Sequence, residues 1–180
     1  MAKTMDKATG KPGPIRVYAD TSVYGGVFDR EFAVASRQFF ELVEAGRFEL
    51  ITSALVEEEI FVAPEWVRRF YRATEAASLI AEIQANALRL AEAYIAEGIV
   101  GPKSLTDARH VALATVSHCR LIVSWNFKHI VQFERIERYN KVNVASGYGA
   151  IGIFSPLEVI NDEEDKEVIN DEEDKIEGEK

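Results

Sequence analysis

From residue 15 to residue 157, short apolar runs alternate with stretches of helical periodicity, and that alternation restricts the chain to an α/β architecture. IRVYA (Ile15–Ala19) is the first run and stops at Asp20-Thr21-Ser22. Apolar residues then recur at helical spacing over Phe32–Ala45, with Gly46 as the stop. FELIT (Phe48–Thr52) reads as a second strand, and Ser53 opens a helix that runs through Ala54-Leu55-Val56 into Glu57-Glu58-Glu59-Ile60. Pro64 resets the chain into another helix, and an Ala-rich stretch, Glu75–Glu97, reads as one long helix ended by Gly98. A helix is predicted over Ser104–His118, followed by the strand LIVS (Leu121–Ser124) and then Trp125-Asn126. Val131–Asn140 reads as a short helix, with strands at Val142–Val144 and Ala150–Phe154. Strands separated by helices imply a mainly parallel sheet covered on both faces, a three-layer α/β/α sandwich. In such sheets ligands gather at the carboxyl ends of the strands.

Four polar residues fall at that edge. Asp20 follows the first strand directly, where an N-cap role is the ordinary alternative and Thr21 or Ser22 could cap in its place. Glu59 lies three residues after Val56 and four after Leu55, so it borders the buried stripe of its helix, while Glu57 and Glu58 point further away. Asp107, His110, Val111 and Ala114 share the i, i+3, i+4, i+7 face of their helix, although Ser104-Leu105-Thr106-Asp107 also resembles a capping box. Asn126 follows the third strand through Trp125 and taken alone reads as a turn residue. Three carboxylates and an amide come from four separated segments, and the carboxylates repel one another unless a cation offsets them. The oxygens suit a hard divalent ion with water in its remaining positions.

Other metal and thiol chemistries fare worse. Cys119 is the single cysteine, which excludes a disulfide framework and a cysteine-rich zinc site. The three histidines, His110, His118 and His129, form no HExxH pattern. No run approaches the ~20 apolar residues needed to cross a bilayer, and the opening MAKTMDKATGKPGP has no apolar core of a signal peptide, so a cytoplasmic protein without a membrane partner is expected. The net charge of −9 is carried by residues 158–180, where twelve acids face three lysines; eighteen residues of each sign balance over 1–157. The tail repeats EVINDEEDK at Glu158–Lys166 and Glu167–Lys175 and is too poor in apolar residues to build a core. Acidity therefore belongs to the tail and does not argue against a nucleic-acid partner for the domain.

The segments YADTSVYGG, SALVEEEIFVAP, SLTDARHVALA, LIVSWNFKHIV and VNVASGYGAIGIFSPLEVI occur in the order seen in PIN-domain proteins, and the chain resembles the VapC-like toxin ribonucleases among them over Ile15–Ile160. Composition reads as a disordered leader at 1–14 and an acidic disordered tail at 161–180, and the resemblance implies a PIN-like nuclease domain at 15–160 between them. It implies Mg²⁺- or Mn²⁺-dependent endonucleolytic cleavage of RNA, by a homodimer acting as the toxin of a pair with an antitoxin protein. A non-catalytic RNA-binding or regulatory module is the alternative. Carried over residue by residue, Asp20, Glu59, Asp107 and Asn126 would be catalytic, with Asp20 and Asp107 on the metal and Ser22 supporting. Asn126 stands where many members carry an acid, which lowers the charge of the site. Ala63-Pro64 sets the register for Glu59, with Glu58 one residue away as the competing choice. Trp125, Lys128 and His129 would touch the nucleic acid by stacking or phosphate contact. His110 is expected to pack beside the site, not to act as a base.

Overall fold

The computed structural model describes residues 14–163 apart from 76, 77, 83 and 129. Residues 1–13 of the leader expected at 1–14, most of the acidic tail, and His129 lie outside the described residues. Five strands form one parallel sheet: β1 (Ile15–Ala19), β2 (Phe48–Ser53), β3 (Leu79–Ala81), β4 (Leu121–Val123) and β5 (Gly152–Phe154), in the spatial order β3-β2-β1-β4-β5. Helices accompany them, among the described residues α1 (Thr21–Gly26), α2 (Ala33–Glu44), α3 (Ala54–Phe61), α4 (Glu65–Glu75), α5 (Ala85–Ala96), α6 (Leu105–Val116) and α7 (Phe133–Ala145).

The strand order decides where the helices go. The chain moves outward from β1 through β2 to β3, then returns past β1 to β4 and moves outward the other way to β5. Right-handed crossovers put the connections of one direction on one face and those of the other direction on the opposite face. Accordingly α1 to α4 pack among themselves, and α5 packs along α6 and against α7. The result is an α/β/α sandwich with helices on both sides of a parallel sheet. Central strands in such a sheet are covered twice, which is why β1 and β2 read as near-continuous apolar runs. Val17, Tyr18 and Ala19 are fully buried, as is Ile122 on β4, and Tyr18 pairs with Ile51 on one side and Ile122 on the other. No described helix is long and apolar enough to cross a membrane.

Two expected elements take other forms. The single helix expected over Glu75–Glu97 is interrupted by strand β3. Helix α4 closes at Glu75, where Ser78 donates from its amide to the Glu75 carbonyl (2.9 Å) and from its hydroxyl to that of Thr74 (2.8 Å). Leu79-Ile80-Ala81 then adds to β2, in the register Thr52 to Ile80. Three residues are too few to show a period-2 pattern beside an Ala-rich helix. The strand expected at Val142–Val144 is the last turn of α7. That helix ends in a left-handed Gly147 (φ +85°), with the Tyr148 amide reaching back to the Asn143 carbonyl (2.8 Å). Asn143 is wholly buried within this turn, where its carboxamide joins Tyr94 and Thr115. Residues 156–163 are also helical, and Glu163, nearly buried, takes a two-pronged contact from Arg47 (2.5 and 3.0 Å). Residues 161–163, expected in the acidic tail, belong to this helix.

Candidate active site

The reversal of strand order leaves a crevice between the carboxyl ends of β1 and β4, the place where an open parallel sheet can admit a ligand. Asp20 stands at its floor. Its amide extends the β1–β4 ladder by donating to the Val123 carbonyl (3.1 Å), and its side chain caps α1. Neither Thr21 nor Ser22 takes over that capping role. Asp20 is 4% exposed, and the cap and the crevice share one carboxylate.

Two serines organise it. Ser22 donates to Oδ1 from its amide (3.0 Å) and again from its hydroxyl, while Ser124 donates to Oδ2 (2.7 Å). Each serine oxygen in turn accepts a backbone N–H from the turn after β4: Trp125 to Ser22 (2.9 Å) and Asn126 to Ser124 (2.9 Å). The carboxylate is therefore tied to both strand ends. Burial raises the Asp20 carboxyl above its ordinary range, and the nearby His110 with the Ser22 and Ser124 hydrogen bonds offsets only part of that. Ser124 was legible only as the end of an apolar run; no spacing signal marks it as a partner of a residue 104 positions earlier.

Asn126 donates from Nδ2 to Asp107 Oδ1 (2.8 Å). Ser104 makes no side-chain cap to α6, so Asp107 does not serve a capping box there. The Asp107 carboxylate instead faces the turn after β4. Glu59 reaches the same edge from α3: its Oε2 accepts from Thr21 and from His110 Nε2 (3.1 Å). Partial burial pushes the Glu59 carboxyl up, but the nearby His110 imidazole and the Thr21 hydroxyl outweigh it, so the carboxyl sits below its ordinary value. Glu58 is exposed and lines a separate cavity with Leu55, Ala87, Leu88, Arg109 and Leu113. Glu59, not Glu58, contacts Thr21, the residue that follows Asp20. His110 is buried on the α6 face next to the site, as its helical spacing implied.

Trp125 is built into the scaffold. Its indole N–H donates to Ser36 (2.9 Å), and its ring stacks on Phe32 with centroids 4.4 Å apart. This anchors the 124–126 turn to α1 and α2. Gly26 makes room for it: a Cβ there would lie 2.5 Å from Ser36 Oγ and 2.7 Å from Trp125 Nε1. Gly26→Ala is expected to lower stability by about 1–3 kcal/mol through this overpacking, read as a depressed Tm with a perturbed tryptophan emission; an unchanged Tm would show that the turn yields freely. Lys128 is exposed, with its carbonyl accepting from Arg135 (2.8 Å).

The donors at this edge are oxygens, which suit Mg²⁺ or Mn²⁺. Burial pushes the Cys119 thiol up to about 12, which removes it as a nucleophile or soft ligand. Among the described residues no three His, Cys, Asp or Glu side chains converge as a metal cage. Glu59 gives one oxygen, Oε2, to Thr21 and His110. Asp20 and Asp107, the pair expected on the metal, supply carboxylate oxygens of the kind found in sites where one or two carboxylates and water complete the shell.

No protein-family model matches the chain, and no curated protein matches it. Solved structures do. The crystal structure of VapBC2 from Rickettsia felis bound to a DNA fragment from its promoter contains a chain that superimposes with a TM-score of 0.54 at 12% identity, over 78% of this chain and 98% of that one. At that identity the likeness establishes the fold alone, a parallel sheet with helices on both faces.

Proposed function

We propose that the chain is a metal-dependent endoribonuclease of the PIN-domain, VapC-like kind, hydrolysing RNA phosphodiester bonds. One observation carries the reading: a buried carboxylate at the switch point of a parallel sheet, held by serines from both strand ends, with Asp107–Asn126 and Glu59 at the same edge. The fold likeness to a VapBC2 chain supports it independently of the motifs.

Asp20 and Asp107 would hold the cation. When bound, a divalent ion lowers the pKa of a water and neutralises charge developing on the phosphate. Ser22 and Ser124 orient Asp20, and Asn126 orients Asp107, so neither carboxylate has to reorganise as the substrate enters. Glu59, ionised, would accept a proton from the attacking water or complete the shell. Lys128 and His129 would meet a phosphate, and Trp125 would act by holding the turn. The toxin role, an antitoxin partner and a homodimer belong to the same proposal.

A second reading has one observation in its favour. Asn126 places an amide donor on Asp107 where a further acid would strengthen a cation site, and among the described residues no three-acid group forms. That suits a module that binds RNA without cutting it. Labelled RNA and DNA incubated with the full chain in Mn²⁺ or in EDTA separate the two. The nuclease reading expects circular RNA to be opened in Mn²⁺, DNA to survive, and EDTA to stop the reaction. RNA that is bound but intact in Mn²⁺ would leave the binding module standing.

A further inference from the structure

Around Glu59 the hydrogen bonds run through residues that the catalytic assignment does not use. Tyr18 and Ser53 are fully buried, and His110 is 3% exposed. Tyr18 Oη lies 2.8 Å from Ser53 Oγ and 2.9 Å from His110 Nδ1. The other ring nitrogen of His110 is 3.1 Å from Glu59 Oε2. Ser53 is also the N-cap of α3, accepting the Val56 N–H (3.3 Å), and Glu59 sits on that same helix. The chain of contacts therefore leaves α3 at its cap, crosses β1 and α6, and returns to α3 at Glu59.

We propose that His110 is a positioning residue for Glu59, held in the tautomer with hydrogen on Nε2 by a one-way hydrogen-bond chain that starts at Ser53. The inference rests on the nuclease reading for its effect on rate, though not for the chain itself.

The direction follows from counting hydrogens. An ionised Glu59 only accepts, so Nε2 must donate to it. The opposite tautomer would set a nitrogen lone pair against a carboxylate oxygen at 3.1 Å. With the proton on Nε2, Nδ1 carries a lone pair and needs a donor, and the Tyr18 hydroxyl supplies it. Tyr18 oxygen then accepts from Ser53, whose own oxygen accepts the α3 amide. Each hydrogen has one acceptor and none is left over, which matters because an unpaired buried polar group costs about 1–3 kcal/mol. Thr21 adds a second donor to the same Oε2. Among the described residues Glu59 Oε1 takes no hydrogen bond, so the fixed oxygen and the working oxygen of this carboxylate are different atoms.

Isosteric amides test the assignment in the full chain. His110→Gln puts an N–H near the position of Nε2, whereas His110→Asn puts it near Nδ1. His110→Gln is expected to keep kcat within about 5-fold, and His110→Asn to lose about 10- to 100-fold, the worth of a hydrogen bond to a charged group, with KM for RNA unchanged in both. Tyr18→Phe, which keeps the ring, should lower kcat several-fold at unchanged KM. Nitrogen-15 NMR of imidazole-labelled protein should show the His110 proton on Nε2 in the wild type and lose that fixed assignment in Tyr18→Phe. A proton on Nδ1 in the wild type, or equal losses in the two amide variants, overturns the proposal. If the wild type does not cut RNA, the function proposed above fails, and the NMR result still decides the hydrogen-bond chain on its own.

Discussion

Asp20→Asn is expected to abolish RNA cleavage and, in metal-free buffer at neutral pH, to make the protein more stable. The activity loss should be on the order of 10³-fold, since the change removes a cation ligand whose charge stabilisation is worth several kcal/mol. The stability gain has a separate cause. Burial raises the folded-state pKa of Asp20 above its ordinary 3.8, so the folded chain holds this proton more tightly than the unfolded one. Stability contributed by the protonated form is complete below 3.8 and is lost as pH climbs through the raised value. At neutral pH the wild type keeps an ionised group in a desolvated seat, and the amide does not. Its carbonyl can still take both Ser22 contacts, and its NH₂ faces a Ser124 hydroxyl that can turn to accept. Thermal unfolding in EDTA from pH 4 to pH 8 should therefore show the variant melting a few degrees higher at neutral pH, with the gap closing towards the acidic end. Adding Mn²⁺ should raise the Tm of the wild type alone. A variant that melts lower at every pH would mean that the carboxylate stabilises the fold, and the account of a costly functional charge would be wrong.

The largest loss of stability is expected far from the crevice, at Asn143. Its Oδ1 accepts from the Tyr94 hydroxyl, and its Nδ2 donates to Thr115 (3.3 Å). All three residues are buried, and they lock α7 against α5 and α6. Asn143→Ala leaves the Tyr94 and Thr115 hydroxyls without these partners and opens a small void, a cost of about 2–4 kcal/mol. For a domain of this size that corresponds to a Tm lower by roughly 5–15 °C. Tyr94→Phe in the same chain should recover part of the loss, because removing both partners of a buried hydrogen bond is cheaper than removing one. Strict additivity in the double-mutant cycle would show that the two side chains do not act as a pair.

Asn143 also shows why part of the fold was hard to read. Val-Asn-Val has the β-branched residues of a strand, and nothing local says that the asparagine is needed in the core between two other helices. Strand β3 was hidden for a different reason: its Leu79 and Ile80 are half exposed, and three residues paired at a sheet edge leave no periodic mark. By contrast β1, β2 and β4 sit in the middle of the sheet, and double-sided burial wrote itself into unbroken apolar runs. The positions of Asp20, Asp107 and Asn126 could be inferred because each lies at the end of such a run or heads a helix face. Glu59 could be told from Glu58 by its place beside Leu55 and Val56, and the contacts to Thr21 and His110 follow that choice. Tyr18, Ser53 and Ser124 could not be found in this way. Their roles depend on what stands opposite them after folding, and Tyr18 in particular looks like any aromatic in a buried strand.

The pairing of β1 with β4 has a consequence for biosynthesis. Asp20 leaves the ribosome early, but the hydroxyl that fixes its second oxygen belongs to Ser124, and its amide waits for Val123. β1 can pair with β2 some thirty residues later, and that half of the sheet is able to form while translation continues. The crevice closes only when β4 inserts on the other side, a contact of long sequence separation and correspondingly slow formation. A nascent chain shorter than about 126 residues therefore carries the acidic residue in an unformed pocket, beside the very RNA from which it is being made.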